Sequence, residues 1–132
     1  MKTKFFLCRH CGNVVYKIVD SGVVPICCGE PMTELIPNTQ EEASQEKHLP
    51  VAVKMDGCNY RVKIGSSPHP MQPEHHIRFV FLETEDGGQL VNLKDRPEAH
   101  FCTCKTKPTA VYAYCNIHGL WRVKCSLRVS QL

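Results

Sequence analysis

The chain has no apolar run of the roughly 20 residues a membrane-spanning helix needs, so a helical membrane protein is excluded. Its first residues, Met1-Lys2-Thr3-Lys4-Phe5-Phe6-Leu7-Cys8, hold too short an apolar stretch for a secretory leader, and a cytoplasmic location is expected. No charge of one sign dominates: 16 basic residues stand against 13 acidic, the net charge is +3, and the basic ones are scattered. That balance gives no argument for a nucleic-acid partner. No helical period and no internal repeat run through it.

What the chain has in excess is metal-binding chemistry: 9 cysteines and 7 histidines in 132 residues. An odd number of cysteines cannot all pair as disulfides, and close-spaced thiols in a reducing compartment more often hold metal. With 42% apolar and 22% charged residues, the chain is a folded protein.

Residues 1–37 carry Cys8, Cys11, Cys27 and Cys28 around a β-branched stretch, Val14–Val19, that reads as a strand. So short a segment cannot bury a sufficient apolar core, and a metal would supply the missing stability. Residues 38–47 are polar, without apolar period, and read as a linker. From His48 to residue 132 the pattern alternates with period two. Val51, Val53 and Met55 share a face, Asp56-Gly57-Cys58-Asn59 reads as a hairpin loop, and Tyr60, Val62 and Ile64 alternate with Arg61 and Lys63. Ile77, Phe79 and Phe81 alternate again. Asp86-Gly87-Gly88 reads as a turn, followed by a short strand over Leu90–Leu93. Val111, Ala113 and Cys115 share one face of the next strand. Trp121, Val123, Cys125, Leu127 and Val129 line one side of the last. Short strands punctuated by turns predict an all-β protein, its larger part an antiparallel sandwich.

Cys8-x-x-Cys11 with Cys27-Cys28 makes a four-thiolate set, which suits zinc or iron. The first pair has ordinary knuckle spacing. The adjacent second pair must turn both sulfurs to one ion, which strains the backbone there. A purely stabilising metal clip is one reading. The second set lies in the larger domain. Cys115-Asn116-Ile117-His118-Gly119 places a thiolate and an imidazole three apart, with a glycine that lets the chain turn. His69-Pro70-Met71-Gln72-Pro73-Glu74-His75 is a proline-stiffened loop with a histidine at each end. His75 and His76 are adjacent, so in a strand only one joins a given site, and the pattern alone does not select it. A blue-copper centre would use two histidines, a cysteine and an axial methionine, but no methionine follows His118. Iron with several imidazoles and one thiolate is the competing reading.

Taken together, these residues resemble the two-domain desulfoferrodoxins, superoxide reductases with a desulforedoxin-like N-terminal domain. The resemblance rests on Cys8-x-x-Cys11 with Cys27-Cys28, Glu46-Lys47-His48-Leu49-Pro50, His69-Pro70-Met71 with His75, and Cys115-Asn116-Ile117-His118-Gly119-Leu120-Trp121, in that order along nearly the whole chain. It implies a small rubredoxin-like iron domain followed by an immunoglobulin-like β-sandwich. It implies two irons: one on Cys8, Cys11, Cys27 and Cys28, the other on four equatorial nitrogens of His48, His69, His75 and His118 with Cys115 axial. The implied reaction is one-electron reduction of superoxide to hydrogen peroxide. Lys47 would stand beside the open position and draw in the anion, and Glu46 could occupy that position in the oxidised state. A rubredoxin-type electron donor and a homodimer are implied too. A non-catalytic iron electron carrier or oxygen sensor is the alternative function, and a zinc-stabilised interaction module a third.

Some residues depart from the family pattern. His76 stands where an aromatic residue is usual; it binds nothing or relays protons. Cys102 and Cys104 belong to no family motif and are expected as unligated thiols, a disulfide or an opportunistic metal pair being the alternatives. Cys125 is expected to fill core.

Overall fold

The computed structural model describes residues 3–40, 48–54, 59–65 and 68–125. Two compact units divide the chain, Met1–Ile36 and Pro37–Leu132. No helix occurs among the described residues; the fold is all-β.

In the first unit, Phe5–Leu7 (β1) pairs antiparallel with Val14–Tyr16 (β2) on one side and Thr33–Glu34 (β5) on the other. The strand expected over 14–19 stops at Tyr16, because β1 offers only three partner residues. Ile18 and Val19 are left exposed beyond it. Ile26–Cys27 (β3) and Glu30–Pro31 (β4) form a two-residue hairpin. Phe6, Cys8 and Met32 form a buried cluster in this unit, with Cys27 packed against it, and Phe5 is buried beside the Tyr16 ring. So few side chains, one of them a metal-ligand type, cannot hold such a unit by burial alone.

The second unit is a sandwich of two antiparallel sheets. Pro50–Lys54 (β6), Asn59–Ile64 (β7) and Glu98–Cys102 (β10) form one, in the order β10-β7-β6. Ile77–Thr84 (β8), Gly87–Asn92 (β9), Pro108–Cys115 (β11) and Gly119–Lys124 (β12) form the other, in the order β12-β11-β8-β9. Tyr60, Val62, Ile64, Ala99 and Phe101 from the first sheet meet Ile77, Val80, Leu82, Val111, Ala113 and Cys115 from the second. This is the period-two logic of a sandwich, with Arg61 and Lys63 turned away from the core. The segment expected as a linker begins inside this unit: Asn38 bridges Trp121, and its N–H donates to the Leu120 carbonyl at 2.8 Å.

Strand β8 departs from simple alternation. Ile77, Val80 and Leu82 join the core cluster, whereas Phe79 and Phe81 are buried outside it. The cause is a bulge: Cys115 pairs with Ile77 but Tyr114 with Phe79, so one residue of β8 has no opposite number. Phe79 stacks on Tyr114 with centroids 5.5 Å apart. The expected turn over 86–88 lies one residue earlier, since Thr84 already pairs with Gly87. Gly88 sits within β9, where a Cβ would lie 2.2 Å from the Phe81 ring. Strand β10 was not anticipated, although Ala99 and Phe101 point inward and His100 and Cys102 outward in the same alternation. Of the expected loop 56–59, only Asn59 is among the described residues, as are neither Leu127 nor Val129 of the last stretch.

Candidate metal centres

The four cysteines of the first unit converge. Their sulfurs lie within 4.8 Å of one another, and Cys11 Sγ and Cys27 Sγ are 3.6 Å apart. Cys8 follows β1, and Cys11 comes in a tight turn closed by Gly12 N–H on the Cys8 carbonyl (2.9 Å) and Cys8 N–H on the Asn13 carbonyl (2.8 Å). Cys27 is the last residue of β3, and Cys28-Gly29 are the two turn residues of the hairpin. Both take positive φ, +54° and +75°, as a type I′ hairpin turn demands. Cys28 is the one described non-glycine residue with positive φ. That is the strain expected of adjacent ligands, and the turn type explains how neighbours serve one ion.

The thiols do not ionise alike. The Cys11 backbone N–H holds the Cys8 thiol down to about 6. Hydrogen bonds among the sulfurs, that with Cys11 foremost, raise Cys27 and push Cys28 up to about 12. Four thiolates so close repel, and a cation among them removes the conflict.

The second set gathers at one end of the sandwich. Cys115, fully buried, ends β11, and His118 stands in the turn to β12. Gly119, at φ +84°, closes that turn against Cys115. The His118 N–H points at Cys115 Sγ (3.4 Å), and His118 Nδ1 lies 3.7 Å from the same sulfur. His69 and His75 come from the loop before β8, which Gln72 and His75 close by mutual backbone hydrogen bonds of 3.0 Å. Pro73-Glu74 make its turn. His48 precedes β6.

The four imidazoles stand at the corners of a square. Neighbouring centroids are 4.7 Å apart for His48–His69, 4.7 Å for His69–His75, 5.1 Å for His75–His118 and 4.7 Å for His118–His48. The His48–His75 diagonal is 6.4 Å. Adjacent rings are steeply inclined, between 64° and 81°, like blades of a propeller. Ring nitrogens face inward: His48 Nε2 and His118 Nδ1 are 3.0 Å apart. His69 Nε2 and His75 Nε2 are buried and meet no hydrogen-bond partner. Buried polar atoms are nearly always satisfied, so two orphaned ring nitrogens beside the Cys115 sulfur fit a metal. Donor atoms of His48, His69, His75 and Cys115 lie within 4.8 Å of one another, and His118 Nδ1 stands beside them at 3.0 Å from His48 Nε2 and 3.7 Å from Cys115 Sγ, so the set would offer four nitrogens and one sulfur.

Surrounding groups fix the ligands. His69 Nδ1–H donates to the Pro70 carbonyl at 2.7 Å, which leaves Nε2 with its lone pair. Burial lowers the pKa of His69 to about 4, so the ring is neutral, as a ligand must be. The Trp121 indole stacks on His48, centroids 4.7 Å apart and planes 11° apart. Asn116 ties the two ligand-bearing segments together. Its side chain accepts from the His76 N–H (2.8 Å) and donates to the Glu74 carbonyl (3.1 Å), while its own N–H donates to the His76 carbonyl (3.1 Å). The sequence gives Asn116 and Trp121 no role beyond their place beside ligand residues, which is the signal it offers for them.

A desulfoferrodoxin family model matches residues 40–124. The chain belongs to the desulfoferrodoxin family. It is 38% identical over 120 residues to a desulfoferrodoxin homolog of Methanothermobacter thermautotrophicus, covering 89% of this chain and 95% of that one. It is 37% identical over 123 residues to the desulfoferrodoxin of Nitratidesulfovibrio vulgaris, covering 92% and 95%. Its structure matches that of the superoxide reductase from Treponema pallidum with TM-score 0.80 and 32% identity, covering 93% of this chain and 98% of the other. Desulfoferrodoxins carry two iron centres, and the four-cysteine and four-histidine/one-cysteine sets are where this chain would hold them.

Other anticipated residues stand differently. Lys47 and Glu46 lie outside the described residues. His76 takes no place in the square; its Nδ1–H donates to the Gln72 carbonyl at 2.9 Å. Cys125 packs against the sandwich core, as expected of a filler, and burial pushes its thiol up to about 11. Cys102 is a free, exposed thiol, whereas Cys104 is disulfide-bonded rather than unligated.

Proposed function

We propose that this chain is a superoxide reductase, which takes superoxide, one electron and two protons to hydrogen peroxide and releases no dioxygen. The observation that carries the reading is the square of four imidazoles with the Cys115 sulfur beside it. Iron bound there would supply the electron. His48, His69, His75, His118 and Cys115 would hold the ion, and five protein donors would leave it room for a substrate.

The ligands' character suits an anionic substrate. Neutral imidazoles at His48, His69, His75 and His118 would leave a ferrous ion's charge only partly offset by the single Cys115 thiolate, so the centre attracts anions. The His118 N–H directed at Cys115 Sγ restrains the sulfur and moderates its electron donation. We assign Lys47 the role of drawing superoxide in by its charge and ordering a proton-donating water. Glu46 is the residue we expect to close the sixth position in the resting oxidised state. Electrons would come from a rubredoxin-type donor, and we expect a cytoplasmic homodimer. The names of relatives support the assignment: proteins of Pyrococcus horikoshii and Thermococcus kodakarensis, each 37% identical over 101 residues, are superoxide reductases.

The test is a superoxide pulse delivered to the reduced two-iron protein. The expected result is one peroxide per superoxide consumed, with no dioxygen. A protein that binds both irons but consumes no superoxide would be an electron carrier or sensor instead.

A further inference from the structure

Cys102 and Cys104 lie at the far end of the sandwich from the square of histidines. Strand β7 runs from Asn59, the register partner of Cys102, to Ile64, whose carbonyl accepts the His69 N–H. Five residue steps separate those ends by about 17 Å. The two sulfurs therefore contribute nothing directly to the imidazole site and call for their own account.

Their sulfurs are within reach of one another. Cys102 closes β10, where alternation sends Ala99 and Phe101 into the core and Cys102 outward. The Gln89 side-chain amide donates to the Cys102 carbonyl at 2.6 Å and anchors its backbone. Cys102 is free and exposed. Its Sγ lies 3.3 Å from the Sγ of Cys104, and Cys104 is disulfide-bonded. A free sulfur on a fixed strand thus touches a sulfur that is already half of a disulfide. Thiol–disulfide exchange requires that approach, and accessible disulfides are the labile ones.

We propose that Cys102 and Cys104 form a thiol–disulfide exchange site that accepts electrons from a dithiol reductant. The Cys102 thiolate attacks Cys104 Sγ, and a Cys102–Cys104 bond forms. The existing Cys104 bond breaks, and its electron pair leaves on the former partner sulfur, which takes up the proton lost by Cys102. No net oxidation occurs in that step. An external dithiol then reduces the new disulfide: two electrons and two protons pass to Cys102 and Cys104, and the reductant becomes a disulfide. In a reducing compartment a disulfide handled in this way is a redox element and not a permanent staple.

The experiment uses the iron-loaded full chain purified in air, alkylation before and after treatment with dithiothreitol, and mass spectrometry of the peptides. Before reduction, Cys102 should be alkylated and Cys104 protected. With less than one equivalent of dithiothreitol, a Cys102–Cys104 cross-linked peptide should accumulate. Cys102→Ser should slow reduction of the Cys104 disulfide on the order of tenfold, with iron content and visible spectrum unchanged. Alkylating Cys102 in the folded wild-type chain should give the same slow rate, so the test does not depend on the variant's folding. Cys104 alkylated before any reductant is added would overturn the proposal. So would equal reduction rates with and without a free Cys102.

Discussion

His48 Nε2 and His118 Nδ1 stand 3.0 Å apart although 70 residues of chain separate them. One ring presents its ε nitrogen and the other its δ nitrogen. Two nitrogens this close, facing Cys115 and two orphaned Nε2 atoms, are held as a donor set.

Cys115→Ser should abolish the thiolate-to-iron charge-transfer band of the histidine site and leave the four-cysteine iron's spectrum intact. Visible absorption of the purified variant reads both at once, because the second centre serves as internal reference. A surviving band would remove Cys115 as the sulfur ligand.

Lys47→Ala should slow the reaction with superoxide by about tenfold at low salt and flatten its ionic-strength dependence. Pulse radiolysis across a salt series measures both. An unchanged rate at low salt would end the steering role.

Asn116→Ala should weaken iron retention at the histidine site about 10–100-fold, as loss of ligand-supporting hydrogen bonds typically does. The side chain bridges His76 N–H and the Glu74 carbonyl, on either side of ligand His75. Competition with a chelator, followed separately at the two irons' absorption bands, should show loss at one centre only.

Iron removal should unfold the first unit. Among the described residues its buried apolar side chains are Phe5, Phe6, Cys8 and Met32, and its hairpin has two residues per strand. Amide exchange in Ile26–Pro31 should become unprotected in the metal-free protein, and protection should return on adding iron or zinc. Retained protection without metal would show that burial suffices.

Glu98 should make the fold sensitive to acid. Arg96 and Arg61 hydrogen-bond its carboxylate and hold its pKa below the ordinary value of 4.5. A depressed folded pKa stabilises the fold above the unfolded value, and that stability is lost as pH falls through 4.5 toward the folded one. The melting temperature of the wild type should exceed that of Glu98→Gln near pH 7, and the difference should shrink as pH drops toward 3. A pH-independent difference would mean that the carboxylate's charge is not what matters.

Much of this molecule was legible in the sequence because its ligands are chemically rare and its strands alternate. Cys8, Cys11, Cys27 and Cys28 could be grouped by spacing, and strain at the adjacent pair followed from backbone geometry before the type I′ turn was seen. The face of β8 was misread for a local reason. A bulge costs one residue of phase, and nothing in Ile77-Arg78-Phe79 announces it, since all three positions suit a strand. The brace at Asn116 was illegible for another reason. Its partners are the backbone of Glu74 and His76, and a sequence does not print which carbonyls come near. Alternation alone does not choose His75 over His76; the family resemblance does, and the loop closure between Gln72 and His75 that seats the ring is a tertiary fact.

The two donor sets also differ in how soon each can exist during synthesis. Cys8 and Cys27 are 19 residues apart, so the four-cysteine set is complete once the first unit has left the ribosome. The histidine square draws on residues near 48, 70 and 118, and its last corner comes after a loop closure of 70 residues. Long-range closure is slow and comes late. The first centre can therefore take up metal while the second is still unmade.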